Sequence, residues 1–168
     1  VVPPAGLLAG LRRLADEHGA VLIFDEVVTG FRLGPQGAQG AFGVAPDLTT
    51  LGKIIGGGMP IGAVAGPRRL MRRLAPEGDV YHAGTFAGHP LSMAAGIATL
   101  RALAAHPPYT RLEQATRRLT AALQATAAAA GVPVAINHAG SMFTVFFSSV
   151  PVRTLAEAQA SRRDRFAV

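Results

Sequence analysis

The sequence predicts an α/β chain in which helices alternate with short strands. Three observations carry that reading. An amphipathic stretch over residues 6–18 is followed at once by the apolar run Val21-Leu22-Ile23-Phe24. A second short strand at 48–51 leads into a glycine-rich turn. Both strands stop in residues able to do chemistry: Asp25 and Glu26 after the first, Gly52 and Lys53 after the second. Open α/β sheets place their ligand sites just beyond such strand ends.

Taken in order, residues 6–18 read as a helix with Leu7, Leu8, Leu11 and Leu14 on its apolar face. Arg12, Arg13, Asp16 and Glu17 form the polar face, and Gly19 is the stop. The run 21–24 has no polar alternation and reads as a buried strand. Residues 30–43 form a glycine-rich loop with one helical turn around 39–42. After the strand at 48–51, residues 61–65 give a third strand, and Gly66-Pro67 opens a short helix. Leu70, Met71 and Leu74 are its expected core face.

Residues 76–84 form a loop, and 90–106 a long helix with Pro90 in its first turn. Its small residues Ala94, Ala95, Gly96 and Ala98 predict tight packing. Pro107-Pro108 breaks the chain. A second long helix at 111–130 points Leu112, Ala115, Leu119, Ala122 and Leu123 inward and connects two domains. Strands at 132–136 and 142–147 and a helix at 154–166, capped by Thr154, begin a smaller domain. Val168 leaves that helix without a stop signal. The expected division is 1–106 for a large domain, 107–130 for the connecting helix and 131–168 for the start of a small one.

At 168 residues, with 49% apolar content, the chain can build a sizeable core. No apolar run is long enough for a membrane span, and no signal-peptide pattern is present. Cysteine is absent, which removes disulfides and thiolate metal sites. His82 and His89 are seven residues apart with no carboxylate cluster beside them, so no metal site is expected. The net charge of +6 comes from arginine pairs such as Arg12-Arg13, Arg72-Arg73 and Arg117-Arg118. They recur in helical patterns without interleaved aromatics, so they read as solvated faces and not as a nucleic-acid platform. The glycines at 56–58 follow the lysine and precede no Lys-Ser/Thr pair, so they are not a mononucleotide loop.

Lys53 is the only lysine; all other basic residues among the 16 are arginine. Arginine cannot replace lysine in forming an imine with a carbonyl, because a guanidinium does not shed its proton near neutral pH. The competing reading is a surface charge left over in an arginine-biased chain. The apolar flanks and the glycine triplet favour the chemical one, since glycines let backbone approach a ligand. Asp25 supplies the matching acid. A carboxylate against the pyridine nitrogen of pyridoxal phosphate keeps it protonated and makes the ring an electron sink. A turn or cap residue is the alternative for Asp25. Neighbouring strand-end residues point in opposite directions, so Glu26 is expected to be structural, paired with Arg32. Val27 lies on the Asp25 side by strand alternation.

These residues stand in a set of motifs that resembles the class III, fold-type I family of pyridoxal-phosphate aminotransferases. The set runs from Phe24-Asp25-Glu26-Val27 and Thr29-Gly30-Phe31-Arg32 through Gly37-Ala38-Gln39 and Pro46-Asp47-Leu48-Thr49. It continues with Leu51-Gly52-Lys53-Ile54-Ile55-Gly56, Ala83-Gly84-Thr85 and Leu91-Ser92-Met93-Ala94-Ala95-Gly96, and closes on Ser141-Met142-Phe143-Thr144. The last run is closest to the family's aminomutase branch, whereas His89 stands where that branch usually has asparagine.

The resemblance implies an α/β large domain of the pyridoxal-phosphate transferase fold type I with the start of a small α+β C-terminal domain. It implies pyridoxal phosphate and pyridoxamine phosphate as cofactor forms, with Lys53 and Asp25 catalytic. Asp25, Val27, Lys53 and Thr85 bind the cofactor. Val27 packs on the ring, and Thr85 donates to the phosphate of a neighbouring subunit. Core filler and a plain loop hydroxyl are the alternatives for those two. Further implications are a small amino-aldehyde substrate, a cytoplasmic homodimer, and no nucleic-acid or membrane partner. An aminotransferase using an outside amino donor is the rival enzyme, and a domain that kept the fold and lost the reaction is a third reading. The resemblance covers nearly all of the chain but only part of a family member, so the 168 residues are expected to be a fragment that does not turn over alone.

Overall fold

The amphipathic pattern at the N-terminal end forms α1 (Leu7–Glu17), and Gly19 stops it as expected. Gly19 takes the left-handed φ of 61°, and Ala20 N–H reaches back to Ala15 O at 2.8 Å, closing the last turn. The inner face differs from the expected one. Ala15 is buried and Leu8 half-buried, while Leu7, Leu11 and Leu14 are exposed. Arg12 turns inward because Asp47 offers its guanidinium a carboxylate, 2.8 Å away.

The computed structural model describes residues 2–166, which fall into two compact units, one spanning Ala5–Pro107 and the other made of the residues before Ala5 together with those from Pro108 on. The first unit is built on a sheet of order β1-β2-β3, with β1 (Ile23–Asp25), β2 (Leu48–Gly52) and β3 (Gly62–Ala65). β1 and β2 are parallel, with Ile23 opposite Leu48 and Asp25 opposite Thr50. β3 returns antiparallel to β2. The first strand starts two residues later than expected. Leu22 is drawn into the junction instead: its N–H donates to Asp47 Oδ2 (2.9 Å) and its carbonyl accepts from Asp47 N–H (2.8 Å). Nor is the apolar run buried on both sides. Phe24 is 9% exposed but Ile23 is 54% exposed, because β1 is an edge strand and alternation covers one face.

Asp47 thus ties α1 to the starts of β1 and β2. The Leu22 N–H and the Arg12 guanidinium hold its carboxyl below the usual 3.8. A carboxyl whose pKa is depressed on folding contributes stability that is full above its unfolded value and is lost as pH falls through the folded one. We therefore expect acid to destabilise the protein progressively below about pH 4. Asp47→Asn should flatten that part of a stability–pH curve measured by denaturant melts, and an unchanged acid limb would refute the assignment.

Between the strands, α2 (Gly37–Phe42) is longer than the single turn expected, and after β3 come α3 (Arg68–Met71) and α4 (Pro90–Ala105). Pro67 sits at the N-cap of α3, and Pro90 is in the first turn of α4. Leu70, Met71 and Leu74 are half-buried. On α4 the buried residues are Ser92 and Gly96, whereas Ala94 and Ala98 face outward.

In the second unit, α5 (Tyr109–Ala129) is followed by the antiparallel hairpin of β4 (Ala135–Ala139) and β5 (Met142–Phe146), and by α6 (Leu155–Ala160). α5 buries Thr116 and Thr120, while Leu112, Leu119 and Leu123 are exposed, the reverse of the expected face. Thr120 can be buried because its hydroxyl donates to Thr116 O at 2.9 Å, so no polar group is left unmet. β4 starts three residues late because Val132 N–H still closes α5, donating to Ala127 O beside Gly131 at φ 65°.

Thr154 caps α6 as predicted and forms a capping box: Glu157 N–H donates to its hydroxyl and the Glu157 carboxylate accepts from Thr154 N–H. The helix does not run to 166. Ser161 is extended, Arg162 N–H donates to Phe147 O at 3.1 Å, and a separate 3₁₀ turn follows at Arg163–Phe166. Val168 lies outside the described residues.

Candidate active site

Because β1 and β2 run parallel in register, the residues that follow each strand emerge side by side at one end of the sheet. Glu26 turns inward from that end. It is 1% exposed, and its carboxylate accepts from Thr29 Oγ1 (2.8 Å), Ala38 N–H (2.7 Å), Gln39 N–H (3.0 Å) and Gln39 Nε2 (3.2 Å). Its role is structural, as expected, but Arg32 is not the partner: Arg32 Nε donates to Val28 O at 3.1 Å. Fixed backbone donors at the start of α2 satisfy a desolvated carboxylate without burying a second long charged side chain. A Cβ at Gly37 would collide with that carboxylate, so Gly37, at φ 60°, admits no side chain.

Asp25 turns the other way and is exposed. Its Oδ1 accepts from Val27 N–H (3.0 Å) and from Thr50 Oγ1 (3.1 Å). Among the described residues Oδ2 has no partner, so the carboxylate is oriented through one oxygen and open at the other. Thr50 is a supporting residue that sequence reasoning missed. Its signal was its register, directly across from Asp25 in the parallel pair. Val27 lies in a turn beyond β1, so it is placed by that turn and not by strand alternation. A Cβ at Gly52 would lie 3.3 Å from one Val27 methyl and 3.6 Å from the other, so Val27 packs across Gly52, immediately before Lys53.

Lys53 begins a 3₁₀ turn, Lys53–Gly56, with φ 48°. That left-handed backbone is uncommon for a side chain with a Cβ and costs about 1–3 kcal/mol. The side chain is exposed, and among the described residues its amine has no hydrogen bond or ion pair. The structure thus brings Asp25, Val27 and Lys53 to one end of the β1–β2 pair. Thr85 is not joined to them by any hydrogen bond. It sits exposed on the turn before α4, where Ala87 N–H donates to Gly84 O at 2.9 Å. A cleft of about 340 Å³, lined by Glu26, Gln39, Thr49 and Leu51, opens on the other face of the sheet from Asp25 and Thr50. Among the described residues no cluster of three or more His, Cys, Asp or Glu is placed to hold a metal ion, and no helix is long and apolar enough to cross a membrane.

An acid and an amine thus stand at the ends of neighbouring parallel strands, and similarity to known proteins gives the chain a family. The chain belongs to the class-III aminotransferases, whose family model matches residues 1–162. It is 55% identical over 168 residues to the glutamate-1-semialdehyde 2,1-aminomutase of Syntrophobacter fumaroxidans, covering 100% of this chain and 39% of that protein. It is 57% identical over 161 residues to the enzyme of the same name from Nitratidesulfovibrio vulgaris, covering 96% and 38%. The chain therefore spans about two fifths of the length of the curated relatives it matches.

Among solved structures it resembles an omega-transaminase from Sphaerobacter thermophilus, with TM-score 0.81, 36% identity, and coverage of 92% of this chain and 37% of that one. It also resembles a glutamate-1-semialdehyde-aminomutase from Pseudomonas aeruginosa in complex with PMP, with TM-score 0.82, 31% identity, and coverage of 97% and 38%. The fold is accordingly the α/β large-domain fold of the type I pyridoxal-phosphate transferases, with a small C-terminal β-containing region.

Proposed function

We propose that the chain is part of a glutamate-1-semialdehyde 2,1-aminomutase that, as a full-length cytoplasmic homodimer, forms 5-aminolevulinate in tetrapyrrole biosynthesis, and that the 168 residues alone do not turn over. The observation that carries the reading is the placement of a half-open carboxylate and an unpaired amine together at the ends of β1 and β2, in a chain 55% identical to a protein of that name. The residues fit pyridoxal phosphate or pyridoxamine phosphate. Among the described residues Asp25 Oδ2 is free to meet a ring N–H and Lys53 Nζ is free to meet an aldehyde, with Val27 packed across Gly52 beside them. When bound, the cofactor supplies a carbonyl for amines and a protonated ring that withdraws electrons from the substrate carbon.

The chain's own residues then divide the work. Asp25 Oδ2 holds the proton on the ring nitrogen, while Thr50 and Val27 N–H fix the carboxylate through Oδ1. Lys53 Nζ would hold the cofactor's aldehyde, and as a free amine it would take the proton from the substrate carbon as general base and give it back as general acid. Val27 packs on the ring and orients it. The Thr85 hydroxyl donates to a phosphate oxygen across the subunit boundary. Residues 1–106 belong to the cofactor domain, 107–130 to its connection and 131–168 to the small domain.

Thr85→Ala is expected to raise the cofactor dissociation constant by about ten- to a hundredfold, the worth of one hydrogen bond to a charged group. Ring chemistry at saturating cofactor should be nearly unchanged, and Thr85→Ser should restore affinity. An unaltered dissociation constant removes Thr85 from the site.

A second reading, a transaminase with an outside amino donor, is favoured by one comparison. The chain is 36% identical to the Sphaerobacter thermophilus omega-transaminase and 31% identical to the Pseudomonas aeruginosa aminomutase. Incubating the purified full-length enzyme with glutamate-1-semialdehyde and no amino donor separates the two. Formation of 5-aminolevulinate supports the aminomutase, and turnover only on adding a donor supports the transaminase.

A further inference from the structure

We propose that Gly96 is a positioning residue for Lys53: by letting α4 lie directly on the Ile55 carbonyl, it fixes the turn Lys53–Gly56 and with it the left-handed backbone from which the amine projects. This deepens the function proposed above and rests on the role of Lys53 in it.

Glycine inside a helix costs about 1 kcal/mol relative to alanine, so a buried one within the 16 residues of α4 calls for a reason. Backbone freedom is not that reason, since Gly96 has no positive φ. The reason is contact. A Cβ at Gly96 would lie 2.5 Å from Ile55 O, a backbone atom that cannot swing aside as a side-chain tip can. The adjacent residue of α4, Ala95, makes a second close approach. Gly57, at φ 59°, has room for no Cβ, which would sit 2.8 Å from Ala95 O. A Cβ at Gly56 would lie 2.7 Å from Ile61 Cγ2, and one at Gly96 would lie 3.9 Å from Ile61 Cδ1. Ser92, one helical turn before Gly96 on the same face, is 0% exposed, so this contact is closed.

The turn is therefore packed closely on both the backbone of α4 and Ile61. Lys53 is its first residue, and its amine has no side-chain partner among the described residues. Backbone position is then what aims the amine. Adding one methyl group at Gly96 must push the turn away from α4, and Lys53 moves with it.

The test uses the full chain in cofactor-free form, its amines reductively methylated with a carbon-13 label. Lys53 is the only lysine, so its resonance stands alone beside that of the N-terminal amine. Gly96→Ala is expected to shift that resonance, and in unmethylated protein to slow capture of pyridoxal phosphate at Lys53 by about ten- to a hundredfold, the effect of a displacement near 1 Å. Gly10→Ala in α1, where a Cβ meets nothing within 4 Å, should leave both readouts at wild-type values. Should Gly96→Ala not fold, Ile61→Ala carries the same expectation by loosening the turn instead of crowding it. A folded Gly96→Ala or Ile61→Ala protein with wild-type shift and capture rate overturns the proposal. If wild-type protein captures no pyridoxal phosphate at Lys53, the proposed function fails, while the shift comparison still decides the role of Gly96.

Discussion

In the full-length enzyme, Lys53→Arg is expected to abolish turnover, by about 10⁴-fold or more, while leaving the melting temperature nearly unchanged. Two functions are lost together: the amine that bonds to the cofactor carbonyl, and the base that carries protons between carbons. A guanidinium keeps the positive charge but cannot become a neutral nucleophile near pH 7. Within these 168 residues no other side-chain amine can substitute, because the remaining basic residues are arginines. The fold should tolerate the change, since Lys53 is exposed and its side chain makes no hydrogen bond or ion pair among the described residues. The check is kcat of the purified variant at saturating cofactor, alongside a thermal melt. Residual activity above about one hundredth of wild type would place the chemistry on another group.

Asp25→Asn should lower kcat on the order of 10²–10³-fold with little change in cofactor affinity. Asparagine keeps an oxygen where Oδ1 accepts from Val27 N–H and Thr50 Oγ1, so the local geometry is retained. It puts a neutral amide where Oδ2 is open, and a neutral group does not hold a proton on the ring nitrogen. The substrate carbanion then loses its electron sink. Exchange of the substrate α-proton with solvent deuterium isolates that step, and exchange at the wild-type rate would remove Asp25 from the mechanism.

Much of this was legible because it depends on local chemistry. Gly19 after an amphipathic run stops α1, Pro90 starts α4, and Thr154 with Glu157 writes a capping box, each within a few residues of its partner. The opposite orientations of Asp25 and Glu26 follow from strand alternation alone. What was not legible depends on distant partners. Arg12 points inward because Asp47, 35 residues away, receives it. Glu26 is satisfied by α2 and not by the nearer Arg32 because backbone donors converge on it. α5 carries an apolar stripe and a threonine stripe, and periodicity favours the leucines. The threonines are nevertheless the buried ones, and the Thr120 hydroxyl closes onto its own helix. The left-handed backbone of Lys53 and the backbone approach at Gly96 leave no mark in the sequence beyond a lysine beside glycines and a glycine in a helix.

Borohydride trapping tests most directly whether Lys53 is the amine that holds the cofactor. The purified protein is loaded with pyridoxal phosphate, reduced, digested with trypsin and mapped by mass. Unmodified chain is cut after Lys53, releasing residues 33–53 and 54–68 as separate peptides. The expected result is a single peptide spanning 33–68, heavier by the reduced cofactor, because a modified Lys53 is no longer a cleavage site. Recovery of both separate peptides in full yield, with the label elsewhere or absent, would contradict it.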